Sequence, residues 1–132
     1  MDIVVLPILG KVVAAISTNK DYEGSKSSDV DAIRELRFAC EDGSRYIMFH
    51  SQDCCEDVYL DDICGSLDDL IGSPLLMAEV CSNKADPAKC EYHDSHTWTF
   101  YKFGTIKGYV TLRWYGTSNG YYSENVIFEE VK

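Results

Sequence analysis

Residues 49–62, Phe-His-Ser-Gln-Asp-Cys-Cys-Glu-Asp-Val-Tyr-Leu-Asp-Asp, place one histidine, two adjacent cysteines and five carboxylates in fourteen positions. Three chemistries could use such a set. The first is zinc binding, in which His50, Cys54 and Cys55, or Cys81, Cys90, His93 and His96, supply thiolate and imidazole ligands. Structural zinc sites usually show two close ligand pairs on turns, and here only Cys90, His93 and His96 are tightly spaced. The second is a catalytic thiol with His50 as base and Asp53 or Glu56 to orient it. Acids on both sides of the cysteine pair oppose this, because a thiolate needs positive surroundings. The third is two-carboxylate hydrolysis by Asp61 and Asp62, but adjacent strand residues face opposite ways and cannot flank one substrate. What remains is a strand and turn with one buried thiol and an acidic rim. No catalytic residue and no cofactor is expected, with zinc as the alternative.

A second constellation lies near the C-terminus. Trp114, Tyr115, Asn119, Tyr121 and Tyr122 gather around a turn, and aromatics with a polar handle concentrate at binding surfaces. They suggest stacking on a nucleotide base or a similar ring, as an alternative function.

Charge narrows the partners. Twelve basic against twenty-two acidic residues give a formal charge of −10, which repels the phosphates that a nucleic-acid binder must neutralise. No lysine or arginine stands between Arg45 and Lys84, whereas Asp57, Asp61, Asp62, Asp68 and Asp69 all do. This stretch is expected to form a negative surface that docks a basic partner protein. An open β-edge would also let two copies pair, so a homodimer is a further expectation.

The elements that must hold these residues are read from periodicity. At 132 residues a single domain spanning 1–132 is expected, with polar loops at about 19–31 and 81–96. Short β-branched and aromatic runs between turn residues mark antiparallel sheet. Lys11–Thr18 reads as a strand, and Glu35–Cys40 and Ser44–His50 as a hairpin about Asp42-Gly43. Ser66, Asp69 and Gly72 have helix cap and stop character, so one short helix is expected near 66–72. Thr97–Phe103, Tyr109–Tyr115 and Tyr122–Val131 read as a three-stranded meander, with Val110, Leu112 and Trp114 on its core face. The fold class expected is α+β, mostly antiparallel β, as a twisted sheet or partly open barrel. Residues 3–9 are apolar but short and without a basic flank, so neither a membrane span nor a secretory leader is expected. Six cysteines are then expected as free thiols in a reducing compartment.

The motifs H-S-Q-D-C-C-E (residues 50–56) and W-Y-G-x-S-N-G-Y-Y-S (114–123), in that order, resemble a family of short phage- and prophage-encoded proteins, a domain of unknown function. The resemblance covers roughly residues 40–128. It implies the cytoplasm of a bacterial host cell and brings no established catalytic residues. A small acidic protein of this kind is expected to act by binding, as an inhibitor of a host defence or regulatory protein.

Overall fold

A computed structural model describes residues 3–18, 33–51, 56–85, 95–118 and 124–131. Among these residues nine strands form two antiparallel sheets: β1 (Val4–Val5), β2 (Val13–Thr18), β3 (Glu35–Cys40), β4 (Arg45–Phe49), β5 (Asp57–Cys64), β6 (Met77–Ala85), β7 (Ser95–Thr105), β8 (Gly108–Ser118) and β9 (Ile127–Glu130). One sheet runs β1-β6-β7-β8-β5 and the other β2-β3-β4-β9. Among the described residues no helix is long and apolar enough to cross a membrane.

Alternation decides what each strand buries. On β8, Val110, Leu112 and Trp114 are buried while Thr111, Arg113 and Tyr115 are only half-buried on the opposite face. On β3 and β4, Leu36, Phe38, Tyr46 and Met48 point inward in the same way. The two inner faces form one core. Phe103 of β7 meets Phe38 of β3 at 5.6 Å and Phe128 of β9 at 6.4 Å between ring centroids. The Trp114 indole N–H points across the core to Met48 Sδ at 3.0 Å. Each such side chain contributes about 1.5–3 kcal/mol by leaving water.

The expected α+β class is corrected by this architecture, whose described residues are β apart from one short 3₁₀ turn, and the expected single sheet or partly open barrel is, among those residues, two sheets that do not close. In place of a helix near 66–72 there is a four-residue 3₁₀ turn, Leu67–Leu70, whose cap residue Ser66 makes no side-chain hydrogen bond. Gly72 at φ 89° and Pro74 follow at once. So short a segment cannot repay the cost of nucleating an α-helix.

The C-terminal meander is corrected too. β7 and β8 form the expected hairpin, but β9 leaves them and pairs with β4, Tyr46 opposite Glu130 and Phe49 opposite Ile127. The meander is β6-β7-β8 instead. The expected 81–96 loop is corrected at both ends, where Cys81–Ala85 pair with Phe100–His96; ladder pairing overrides the low strand propensity of Ser82, Asn83 and Lys84. Residues 86–94, and the expected loop at 19–31, lie outside the described residues.

The β3–β4 hairpin forms in the expected place with a three-residue loop rather than a two-residue one. The Cys40 N–H bonds to Ser44 O and the Gly43 N–H to Cys40 O. Gly43 sits at φ 91°, the left-handed position that such a loop requires of its last residue.

Candidate functional site

The half-exposed aromatic residues lie on the face of the five-stranded sheet turned away from the core. Register brings Tyr59 of β5, Tyr115 of β8 and Trp98 of β7 into one row across three strands. Trp98 and Tyr115 are 4.5 Å apart between centroids, and Tyr59 meets Tyr115 edge-on at 5.9 Å. His96 stacks on Tyr115 at 5.7 Å, and its Nδ1 is hydrogen-bonded to the Tyr115 hydroxyl. Such contacts are each worth about 0.5–1.5 kcal/mol beyond burial, enough to hold the rings in fixed poses.

Two arginines frame the row. Arg113 lies over Trp98, its Cζ 5.1 Å from the ring, and donates through Nε and Nη2 to Asp61 Oδ2 at 3.0 and 2.6 Å. Arg34 lies 6.0 Å over Tyr59 and donates to Asp57 Oδ1 at 3.0 Å and to the Val58 carbonyl at 3.3 Å. Each guanidinium therefore satisfies a carboxylate and a π-face together, the combination arginine is suited to.

This arrangement revises the acidic surface expected from residues 46–83. The segment lacks basic residues, but Arg34 and Arg113 reach it from elsewhere in the chain and neutralise Asp57 and Asp61. Asp62 and Asp68 are exposed, and Asp69 is half-buried with its main-chain carbonyl accepting from the Thr105 hydroxyl. The alternation argument for Asp61 and Asp62 also fails locally. A bulge between Leu60 and Asp62 lets both carboxylates reach solvent while Val58 and Leu60 stay in the core.

Of the expected ring-binding residues, Tyr115 joins the outer row and Trp114 does not, since it is buried in the core at 1% exposure. Asn119, Tyr121 and Tyr122 lie outside the described residues. Trp98, Tyr59 and the two arginines are absent from the sequence-derived set. Their signal was strand parity: Tyr59 stands between the inward Val58 and Leu60, and Trp98 between the inward Thr97 and Thr99.

The histidine of the opening motif is put to a different use. His50 Nδ1 is 2.7 Å from the Asn125 carbonyl, which can only accept, so Nδ1 carries a proton; Nε2 is 2.8 Å from Glu56 Oε2. The side chains are 4% and 0% exposed, which leaves no path for a substrate atom to reach them. A second buried carboxylate, Glu124, accepts from Thr97 Oγ1 at 2.7 Å and from the Ser118 hydroxyl. Gly116 makes room for it, because a Cβ there would stand 2.9 Å from Glu124 Cβ. Together these contacts pin the chain where it crosses from β8 to β9. Glu124 is thereby held to β7 and β8, while the Asn125 carbonyl, one residue on, is held to His50 just past β4.

Among the described residues, no three histidine, cysteine or acidic side chains are placed to share a metal ion. Of the expected zinc ligands, His50 follows β4, His96 is on the outer row, and Cys81 is buried in β6; Cys54, Cys55, Cys90 and His93 lie outside the described residues. Cys40, Cys64 and Cys81 are free thiols. Burial pushes the Cys40 thiol up, away from the thiolate a nucleophile needs.

The family model described as "Domain of unknown function (DUF7448)" matches residues 7–128. No curated protein and no solved structure matches the chain.

Proposed function

As the chain belongs to this family of domains of unknown function, we propose that it is a non-enzymatic binding protein that engages a basic partner protein through the outer face of its five-stranded sheet. The observation that carries this reading is the half-exposed Tyr59–Tyr115–Trp98 row, whose rings a partner's arginines could cover. Arg34 and Arg113 already make, within the molecule, the carboxylate-plus-ring contact that a partner's arginines would make. Asp62 and Asp68 add exposed carboxylates, and the net charge of −10 steers a cationic partner.

The resemblance to short phage- and prophage-encoded proteins supports a protein of the bacterial host cell as the partner. A defence or regulatory protein with a basic groove built for phosphates fits the charge, and blocking that groove would inhibit it.

A hexa-arginine peptide tests the surface without a known partner. The chain has two tryptophans, so their side-chain N–H signals in an NMR spectrum report the outer face (Trp98) and the core (Trp114) separately. The peptide should move the Trp98 signal saturably and leave Trp114 in place. Tyr115→Ala together with Asp62→Asn should weaken the midpoint about tenfold, as losing a cation–π contact and a nearby charge predicts. A Trp98 signal that does not move, or a response that the double variant retains, would sink the proposal.

The second reading, a small planar ligand, is favoured by the same row of rings. Adenosine in place of the peptide separates the two readings in the same spectra.

A further inference from the structure

The opposite face of β7 bounds a cleft that the outer row does not touch. It lies between the two sheets, where Val80, Thr99 and Tyr101 face Asn125, Val126 and Ile127, with Val4 of the edge strand β1 at its lip. Its volume is about 360 Å³, within the range of small-molecule sites. None of the nine residues lining it is charged, in a chain of which 26% of residues are charged.

One buried polar group in the cleft has no partner among the described residues. Thr99 is 5% exposed, and its hydroxyl makes no hydrogen bond among the described residues, whereas the neighbouring inward threonine, Thr97, donates to Glu124. A buried hydroxyl left unpaired is costly, so the cleft holds one unmet hydrogen bond beside an apolar wall. Of the other two hydroxyls there, that of Ser82 is at the exposed mouth, and that of Tyr101 donates to the Val126 carbonyl at 3.2 Å. Burial holds the Tyr101 phenol well above the usual range, so it stays protonated and adds no charge.

We infer that this cleft binds a small uncharged molecule that brings one hydroxyl-like group to Thr99 and lays an apolar body against Val80, Val126 and Ile127. Uncharged follows from the lining, since an ion would be desolvated there with nothing to pair it. The hydroxyl follows from Thr99, because a ligand gains by displacing cleft water only if it reproduces the hydrogen bond that the water would make. The apolar body follows from the valine and isoleucine wall.

Three probes with one apolar chain and different heads separate these requirements: n-hexanol, hexanoate and hexylammonium. Backbone amide NMR spectra of the full chain read where each binds. Hexanol should shift the signals of Ser82, Thr99 and Val126 saturably, with a midpoint on the order of millimolar, and leave that of Trp98 unmoved. The two charged probes should bind at least about tenfold more weakly, a factor modest against the cost of burying an ion. Thr99→Val keeps the shape and removes the hydroxyl; it should weaken hexanol about fivefold or more while leaving the fold as stable or more stable, as expected when an unpaired polar group is replaced by an apolar one. Ser82→Trp, at the exposed mouth, should close the cleft and abolish the shifts without touching the core.

Hexanol shifts scattered over the surface, equal binding of all three probes, or undiminished affinity in Thr99→Val would each overturn the inference. Because the outer-row test uses a cationic peptide on the other face of β7, either result can fail while the other stands.

Discussion

The two ends of the H-S-Q-D-C-C-E motif meet in the structure. His50 and Glu56 meet at 2.8 Å with almost no solvent exposure, and His50 also reaches the Asn125 carbonyl. Removing one member of a buried pair leaves the other without its counterpart in a poorly solvated site. His50→Ala should therefore cost about 3 kcal/mol or more, read as a lower urea midpoint with unchanged slope. Asp57→Asn, which breaks a half-exposed pair with Arg34, should stay within about 1 kcal/mol of the wild type. Equal losses in the two variants would mean that His50 is not the anchor inferred from its burial. The sequence offered His50 readily as a chemical residue, yet offered no means of finding its partners. Asn125 lies 75 positions away, and Glu56 looks like any other acid in an acidic run.

Among the elements, the hairpins and their faces were legible because alternation and turn chemistry are local. The inward set Val110, Leu112 and Trp114 and the turn at Gly43 follow from such patterns. The destination of β9 does not, since nothing in Ile127–Glu130 says which sheet edge it joins. On the β4 side it is held by contacts distant in sequence, the Asn125 carbonyl on His50 and the Phe128 ring stacked on Tyr46. The β3–β4 loop makes a further long-range tie: Asp42 accepts from Lys11 Nζ at 2.6 Å and from the Ser44 N–H at 2.9 Å. The Lys11 ammonium, with help from Ser44, holds the Asp42 carboxyl well below the usual carboxylate range, and Asp42 in turn raises Lys11. A depressed carboxyl stabilises the fold above its unfolded value of about 3.9 and loses that effect as pH falls toward its folded value; a raised amine stabilises below about 10.4 and loses it as pH rises through its folded value. The tie therefore operates between roughly pH 4 and 10. Asp42→Asn should unfold at lower urea than the wild type at pH 7, with the gap narrowing below pH 4. A gap that is constant with pH would assign the effect to the turn hydrogen bonds rather than to the charge.

At the scale of the whole molecule, net charge was legible from composition and its distribution was not. A run without lysine or arginine is a one-dimensional fact, while a surface potential depends on what the fold brings beside it. Here Arg34, just before β3, and Arg113 on β8 reach Asp57 and Asp61 and convert them from free acids into the frame of an aromatic row. The outer row escaped the sequence for a related reason: its three rings come from three strands separated by 56 positions at the extremes, Tyr59 and Tyr115. The global charge and the local row then act on different steps of binding. A net charge of −10 acts at long range and speeds encounter with a cationic partner, whereas ring and carboxylate contacts act at short range and slow its departure. The Debye length shrinks from about 10 Å at 0.1 M salt to about 3 Å at 1 M, so the first effect is screened and the second much less so. For the hexa-arginine peptide, the association rate should fall by at least about tenfold over that range, while the dissociation rate changes by less than about threefold. Tyr115→Ala should show the reverse, a faster dissociation with association nearly unchanged. Stopped-flow kinetics separate the two. If salt acted mainly on dissociation, the peptide would be held by exposed ion pairs alone, and the aromatic row would lose its place in the binding surface.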